Sequence, residues 1–526
     1  MKRLICIAIA AVTLLGLCSC GGKKAAAGGK IIRLIMNSQP SNIDPQIASS
    51  EEELTIVRNC FEGLFRIDNG KVKKGACSSY STSDDGLTWT FKLRGNAKWS
   101  DGEKVTANNF VYGLRRAVLP ETDAENAYLL FCIENAERIR NGSADAGTLG
   151  VTAIDDSTLS IKLSTANDGL PEILSYALCM PCREDVFNDA AGRYGMESDY
   201  AVSNGPFNLT YWSKDLVRLK PNEYYGGEFT AVPSQISISF SDEDSAKIES
   251  IKSDVADIAA INPQVSSKAG KAGLKVISFN DTAWTMIINP DAKVIGDADV
   301  ANAFKTSLTT DAYSSDLPVG FTAFDGIIAD DLRISESSYK TLAARAPRSV
   351  TDPALAKDNF VSALKGLKSS MPAITVKYID INGMKEIATK IAQHWQQSLG
   401  AIVNIEGMTK SDLTNVMKSG EYQIVLCPIT SDDGLASSVA RSFYSGSNDN
   451  IYKIESKKID ALVNQIGNGY GDNVAANVSA VENELLSNTH LIPVAESGHH
   501  FTCSSTVTGV KFDMSQGMIS LYNANR

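Results

Sequence analysis

The side chains in this 526-residue chain that could do chemistry are few and scattered. Cys179-Met180-Pro181-Cys182 is a lone CxxC, and a structural zinc site would need a second pair of ligands. It reads as a local disulfide or as two buried thiols. His499-His500, with Cys503, forms a second small cluster in alternating sequence that reads as a strand. Neighbouring strand residues point to opposite faces, so both imidazoles cannot easily meet one metal. Only four histidines occur, no G-x-S-x-G elbow is present, and no Walker phosphate loop is found. These absences argue against an enzyme and leave binding as the chemistry to explain. One acidic pair stands apart, Asp432-Asp433-Gly434 in Tyr422–Gly446 (YQIVLCPITSDDGLASSVARSFYSG), where a solvated turn and a ligand-facing carboxylate are both open.

The elements that must carry such groups are those of an α/β protein. Ala373–Asp380 alternates as a strand, and Met384, Ile387, Ile391, Trp395 and Leu399 then recur at helical spacing up to Gly400, a left-handed stop. Ala401–Glu406 predicts a second strand, Ser411–Lys418 a short helix capped by Ser411, and Tyr422–Cys427 a third strand. Strand–helix–strand–helix–strand is a parallel unit with right-handed crossovers. The N-terminal third differs. Leu87–Leu93 and Thr158–Leu163 alternate between Asp-rich turns and predict antiparallel ribbons. No repeat period emerges, which excludes a solenoid.

The first residues, MKRLICIAIAAVTLLGLCSC, have a basic start and an apolar core over Leu4–Leu17, too short to span a bilayer. Leu17-Cys18-Ser19-Cys20 resembles a bacterial lipobox, with cleavage before Cys20 and lipid on that residue; Cys18, preceded by bulky Leu17, fits less well. The expectation is a signal peptide over 1–19, a flexible lipidated tether over 20–30, and a chain held to the cell envelope, on the periplasmic side, by its lipid alone. Seven cysteines follow Cys20, an odd number in a large chain, so this is no disulfide scaffold. Removing Lys2 and Arg3 leaves 48 basic against 61 acidic residues, a net charge of about −13 that argues against nucleic-acid partners.

The most specific text runs from Gly75 to Pro120. It contains Ser83-Asp84-Asp85-Gly86-Leu87-Thr88-Trp89-Thr90-Phe91-Lys92-Leu93-Arg94, then Lys98-Trp99-Ser100-Asp101-Gly102, then a helix capped by Thr106 and ending in Arg115-Arg116. With Gln39–Pro45 (QPSNIDP), Asn59–Leu64 (NCFEGL), Asn204-Gly205-Pro206-Phe207, Asn222–Tyr225 and Asp299–Asp311 in order, the chain resembles the oligopeptide/dipeptide family of ABC-importer solute-binding proteins. On a physical reading most of these residues are structural, with Trp89 and Trp99 as core anchors.

The resemblance implies an α/β, two-lobed periplasmic-binding-protein type II-like fold with an additional N-terminal α+β domain. It implies lobe I from 31–72, 203–283 and 495–526, the additional domain from 73–202, and lobe II from 284–494. It further implies a monomeric receptor that closes on a peptide by a hinge and delivers it to permease subunits, with no cofactor and no metal. Alignment on Phe443-Tyr444-Ser445-Gly446 puts Asp432 where the family meets a peptide's ammonium group, with Asp433 one register away. Thr430, Ser431, Trp284, Ser49 and Ser50 complete the implied ligand contacts, and Asn59–Leu64 looks like the family's first helix. Departures surround the acid: Leu435-Ala436 replaces an acidic-Pro pair, Ile429 an aromatic and Leu426 an arginine. Other ligands on the same fold (nickel chelates, haem, sugars, murein peptides) or an adhesin role are the alternatives.

Overall fold

The computed structural model describes residues 29–526, apart from 69–70, 125, 318–319, 335–336, 347–352, 371, 382, 432–433, 448–449, 467–472, 489 and 514–517. The segment expected to be a signal peptide, and Cys20, lie outside the described residues. Among the described residues no helix is long and apolar enough to cross a membrane.

An 11-stranded mixed sheet runs through the molecule. From one edge its order is Val403–Met408, Ile374–Ile379, Ile424–Ile429, Lys275–Ile288, Leu491–Cys503, Ile258–Ala260, Ile31–Met36, Gln235–Phe240, Leu216–Pro221 and Phe207–Ser213, with Phe321–Ala323 added on Leu491–Cys503. Ile374–Ile379 pairs in parallel with both Val403–Met408 and Ile424–Ile429, as the alternating strand and helix pattern predicts. The helix between them is Met384–Leu399, ended by Gly400 at φ 76°, a left-handed conformation that costs glycine little. The following helix is Lys410–Ser419; its cap is Thr409, whose hydroxyl accepts the Asp412 N–H, and not Ser411.

A separate four-stranded antiparallel sheet holds Cys77–Thr82, Thr88–Leu93, Thr158–Lys162 and Val151–Asp155. Trp89 and Trp99 are buried in the adjoining core. The helix Ala107–Val118 starts at Thr106, whose N–H donates to Asn109 Oδ1 at 2.8 Å, and the Trp99 indole donates to the same oxygen at 3.2 Å. The tryptophan is thereby fastened to the helix start.

Hydrophobic burial divides the molecule in two. One cluster joins apolar residues of 32–261 with Phe279, Phe501 and the C-terminal stretch, while two others hold residues between Ala283 and Ala495. Among the described residues the long antiparallel strands Lys275–Ile288 and Leu491–Cys503 contribute to both sides. Their ladder is broken where the cores change: Asn280 faces Gly498 and Thr282 faces Ser497, leaving Asp281 as a bulged residue, and a second irregularity follows Trp284. A bulge bends a strand and redirects a side chain, so this break is where the two bodies join.

The motif residues assemble in space. Asn204 Oδ1 accepts the Glu62 N–H at 3.0 Å and its amide donates to the Glu62 carbonyl at 2.8 Å, while Arg94 and the Tyr225 hydroxyl both donate to the Glu62 carboxylate. Arg116 forms a buried ion pair with Asp44 at 2.6 Å. The helix near this motif is Glu51–Cys60, so Asn59–Leu64 is its last turn and the chain leaving it, not the helix itself. Cys179 and Cys182 are both buried free thiols.

Candidate functional site

Serine and glutamate at a helix start build the first wall of the site. Ser50 caps Glu51–Cys60, accepting the Glu53 N–H at 3.2 Å, and the Glu53 carboxylate accepts the N–H groups of Ser50 at 3.3 Å and Ser49 at 3.1 Å. The same carboxylate takes the Ser41 and Asn42 N–H groups. Burial alone would raise its pKa, but these bonds to the charged form hold it below its ordinary value. One glutamate thus pins the loop that presents Ser49, Ser50 and Glu51. Glu51 stands in the helix's first turn, where the macrodipole favours negative charge.

These residues line a cavity of about 340 Å³. Its first wall carries Ser49, Ser50 and Glu51, with Tyr176 beside them; Lys410 and Ser431 come from the second body, and Asp281 and His499 from the paired long strands. The cavity therefore sits where the two cores meet.

His499 is held at both ring nitrogens, Nδ1 lying 2.6 Å from Glu51 Oε2 and Nε2 3.1 Å from Asp281 Oδ2. A neutral imidazole has a single N–H, so satisfying two carboxylates requires the imidazolium. Burial alone would depress its pKa, but hydrogen bonds and charge attraction from Asp281 and Glu51 outweigh burial and raise it to about 10. Burial pushes Glu51 the other way for an acid, upward, with His499 partly offsetting it. The cluster holds one cation and two carboxylates, a net charge of −1 at the junction of the bodies. His500, next along the strand, contacts Ser266 at 3.3 Å, and burial followed by the charge of His499 lowers it to about 4. Glu496, also on the long strand, is raised to about 7 by burial and then by Asp330.

Of the expected contacts, the structure brings Ser49, Ser50 and Ser431 to the cavity wall. Thr430 is adjacent: its hydroxyl donates to the Asp281 carbonyl at 3.3 Å, tying the second body's loop to the crossing strand. Asp432 and Asp433 lie outside the described residues. Trp284 is placed elsewhere. It is 5% exposed, its indole donates to Ser497 Oγ at 2.8 Å, and its ring meets Phe321 edge-on in the second body's core. Its strand neighbours direct it inward, so the cavity wall is built without it.

Glu51, Asp281 and Lys410 escaped the sequence reading, and His499 was noticed only as half of a weak metal pair. Among the described residues no group of three or more His, Cys, Asp and Glu side chains is arranged to hold a metal ion. Spacing could not have found the cluster, because its members are 230 and 218 residues apart.

The model of bacterial extracellular solute-binding proteins, family 5 middle, matches residues 71–451. The chain belongs to this family. Among family 5 relatives, the dipeptide-binding protein DppE of Bacillus subtilis is 25% identical over 493 residues, covering 90% of this chain and 88% of its own. The substrate-binding domain of an oligopeptide ABC transporter from Bacillus anthracis superposes with a TM-score of 0.73 at 23% identity, over 96% of this chain and 99% of that one. Listeria monocytogenes OppA bound to peptide gives 0.72 at 19% identity, over 95% and 99%. At such identities the structures establish the fold: two-lobed, α/β and type II-like, with the additional N-terminal α+β domain.

Proposed function

We propose that this family 5 protein is a lipid-anchored, extracytoplasmic receptor that encloses oligopeptides between two lobes by hinge closure and delivers them to the permease subunits of an ABC importer. The observation that carries the reading is the cavity between separate hydrophobic cores, walled by Ser49–Glu51 on one side and Ser431 on the other. The hinge is the bulged pair Lys275–Ile288 and Leu491–Cys503, and the lobes comprise 31–72, 203–283 and 495–526 against 284–494, with 73–202 added to the first. Peptide-binding relatives such as DppE support the substrate class. Extended backbone is satisfied by polar groups that ignore side-chain identity, so such a receptor accepts many sequences. A buried ammonium terminus needs a carboxylate, and Asp432 is the residue assigned to it. The protein acts as a monomer, by binding alone.

Mass spectrometry of material released on denaturing the purified protein is the test. Co-purified short peptides are expected. A nickel chelate, haem or a sugar in their place would overturn the substrate class, and a cross-linked muropeptide would narrow it.

A further inference from the structure

Two acceptor atoms in residues of the cavity wall have no donor among the described residues. Glu51 gives Oε2 to His499 Nδ1 at 2.6 Å, while its other oxygen, Oε1, is shut off from solvent and has no hydrogen-bond partner. Asn126, on the same cavity, has its Oδ1 buried without a partner as well. The polar groups around them are already engaged. His499 spends its second nitrogen on Asp281 Oδ2 at 3.1 Å, Thr282 Oγ1 donates to Asp281 Oδ1 at 3.0 Å, and Ser50 Oγ accepts the Glu53 N–H. Lys410, arriving from the second body, has an interaction of its own.

A buried acceptor without a donor is costly, and each such atom in a native protein calls for a partner. Carboxylate and amide oxygens only accept, so the missing group is a donor, and beside a carboxylate a cation makes the strongest bond. Ile47, Ala48, Leu54, Ala177 and Leu178 add an apolar lining to the same cavity. A long aliphatic stem ending in a charged head matches that combination, because the stem covers apolar surface while the head meets polar groups.

We propose that this cavity is a subsite for a basic side chain of the bound peptide: Glu51 Oε1 and Asn126 Oδ1 accept hydrogen bonds from a lysine ammonium or an arginine guanidinium, and the apolar lining takes its methylene stem. The subsite rests on the peptide-receptor reading above and names the peptides it favours. His499 holds the Glu51 carboxylate through Oε2 and leaves the cluster with Asp281 at a net charge of −1, which the arriving cation neutralises. Burial resists ionisation of Glu51, and a second cation favours it. A neutral stem of the same length leaves the carboxylate oxygen unpaired, so the subsite discriminates against it by the penalty of that stranded acceptor.

The test titrates alanine tri-, tetra- and pentapeptides carrying one lysine at each position in turn, each against its norleucine counterpart, by calorimetry. Both sets have the same termini, so their affinity ratio isolates the head of the side chain. In the wild type, lysine should outbind norleucine about tenfold or more at one position, and Glu51→Gln should reduce that ratio to about threefold or less through weaker lysine binding. Asn126→Leu, which leaves the His499 cluster intact, should reduce the ratio severalfold. Equal affinity for lysine and norleucine at every position, or a ratio that survives both substitutions, overturns the subsite. If neither set binds the wild type, the peptide reading falls, and n-butylammonium, the lysine stem and head alone, decides the subsite. A saturation-transfer signal from it with the wild type that is lost in Glu51→Gln upholds the subsite, and no signal overturns it.

Discussion

Replacing His499 with leucine leaves Glu51 and Asp281 beside one another with their shared cation removed. The least costly adjustment is a proton on Glu51, whose carboxyl is already pushed above its ordinary value of 4.5 by burial. Keeping a carboxyl protonated costs about 1.4 kcal/mol per pH unit above that value, so about 3.4 kcal/mol at pH 7 and about 0.7 kcal/mol at pH 5. The wild type also responds to pH, through His499, raised from 6.5 to about 10. Stabilisation from a raised histidine is complete below the unfolded value and is lost as pH climbs through the folded one, so by pH 7 the wild type has lost about 1 kcal/mol. The gap between variant and wild type should thus widen by about 2 kcal/mol from pH 5 to pH 7. Some 30% of the His499 side chain faces the cavity, and screening there lowers the expected widening to about 1–2 kcal/mol. Urea denaturation at both pH values, followed by tryptophan fluorescence, reads the difference, and adding Glu51→Gln to the variant should recover most of it. An equal penalty at the two pH values, or a larger one at pH 5, would falsify the charged-cluster account.

The wild type itself should lose stability between pH 7 and pH 10, measured by the same melts, because the unfolded chain has given up the His499 proton there while the folded state keeps it up to about pH 10. Trp284→Phe should cost about 1 kcal/mol through the lost bond to Ser497 Oγ and leave peptide affinity untouched; a drop in affinity at full stability would return Trp284 to the cavity. Asp432→Ala should weaken binding of a free-amine peptide by about 2–3 kcal/mol. Acetylating the amine should cost a similar amount in the wild type and add little in the variant, with Asp433→Ala near neutral; additive losses would place the ammonium elsewhere. Cys20→Ser should release the protein from membranes and abolish fatty-acid labelling, and labelling that persists until Cys18 is changed would move the anchor to Cys18.

Local pattern carried the fold a long way. Helical spacing from Met384 to Leu399 with Gly400 behind it, and alternation in Ile374–Ile379 and Thr88–Leu93, are properties of a few consecutive residues, and the structure has these elements. Errors fall where a short-range rule had two candidates. Ser411 and Thr409 are both competent caps, and the hydroxyl that reaches the Asp412 N–H belongs to Thr409. Asn59–Leu64 looked helical by likeness, but Phe61 is already extended at φ −116° and ψ 161°. The motif residues Glu62, Arg94, Asn204 and Tyr225 are conspicuous in sequence because they meet in one buried network, so their text reports packing and says little about ligand.

The site divides along a different line. Ser49, Ser50 and Ser431, expected from likeness to the family, do lie on the cavity wall. Glu51, Asp281 and His499 were not expected there, because nothing local marks them. Asp281 acquires its role from a bulge, which turns one residue out of the ladder toward a strand more than 200 positions away. His499 acquires its charge from that encounter: alone in an alternating strand it is an ordinary imidazole, and between two carboxylates it is a cation over the whole physiological range. The same bulge, between Asn280 and Thr282, lies where one core ends and the next starts, so the join between the cores and the charged cluster meet at Asp281. A substitution at Asp281 should therefore disturb the join between the two cores and the electrostatics of the cavity together. In that respect it differs from Ser431, where only the wall would change.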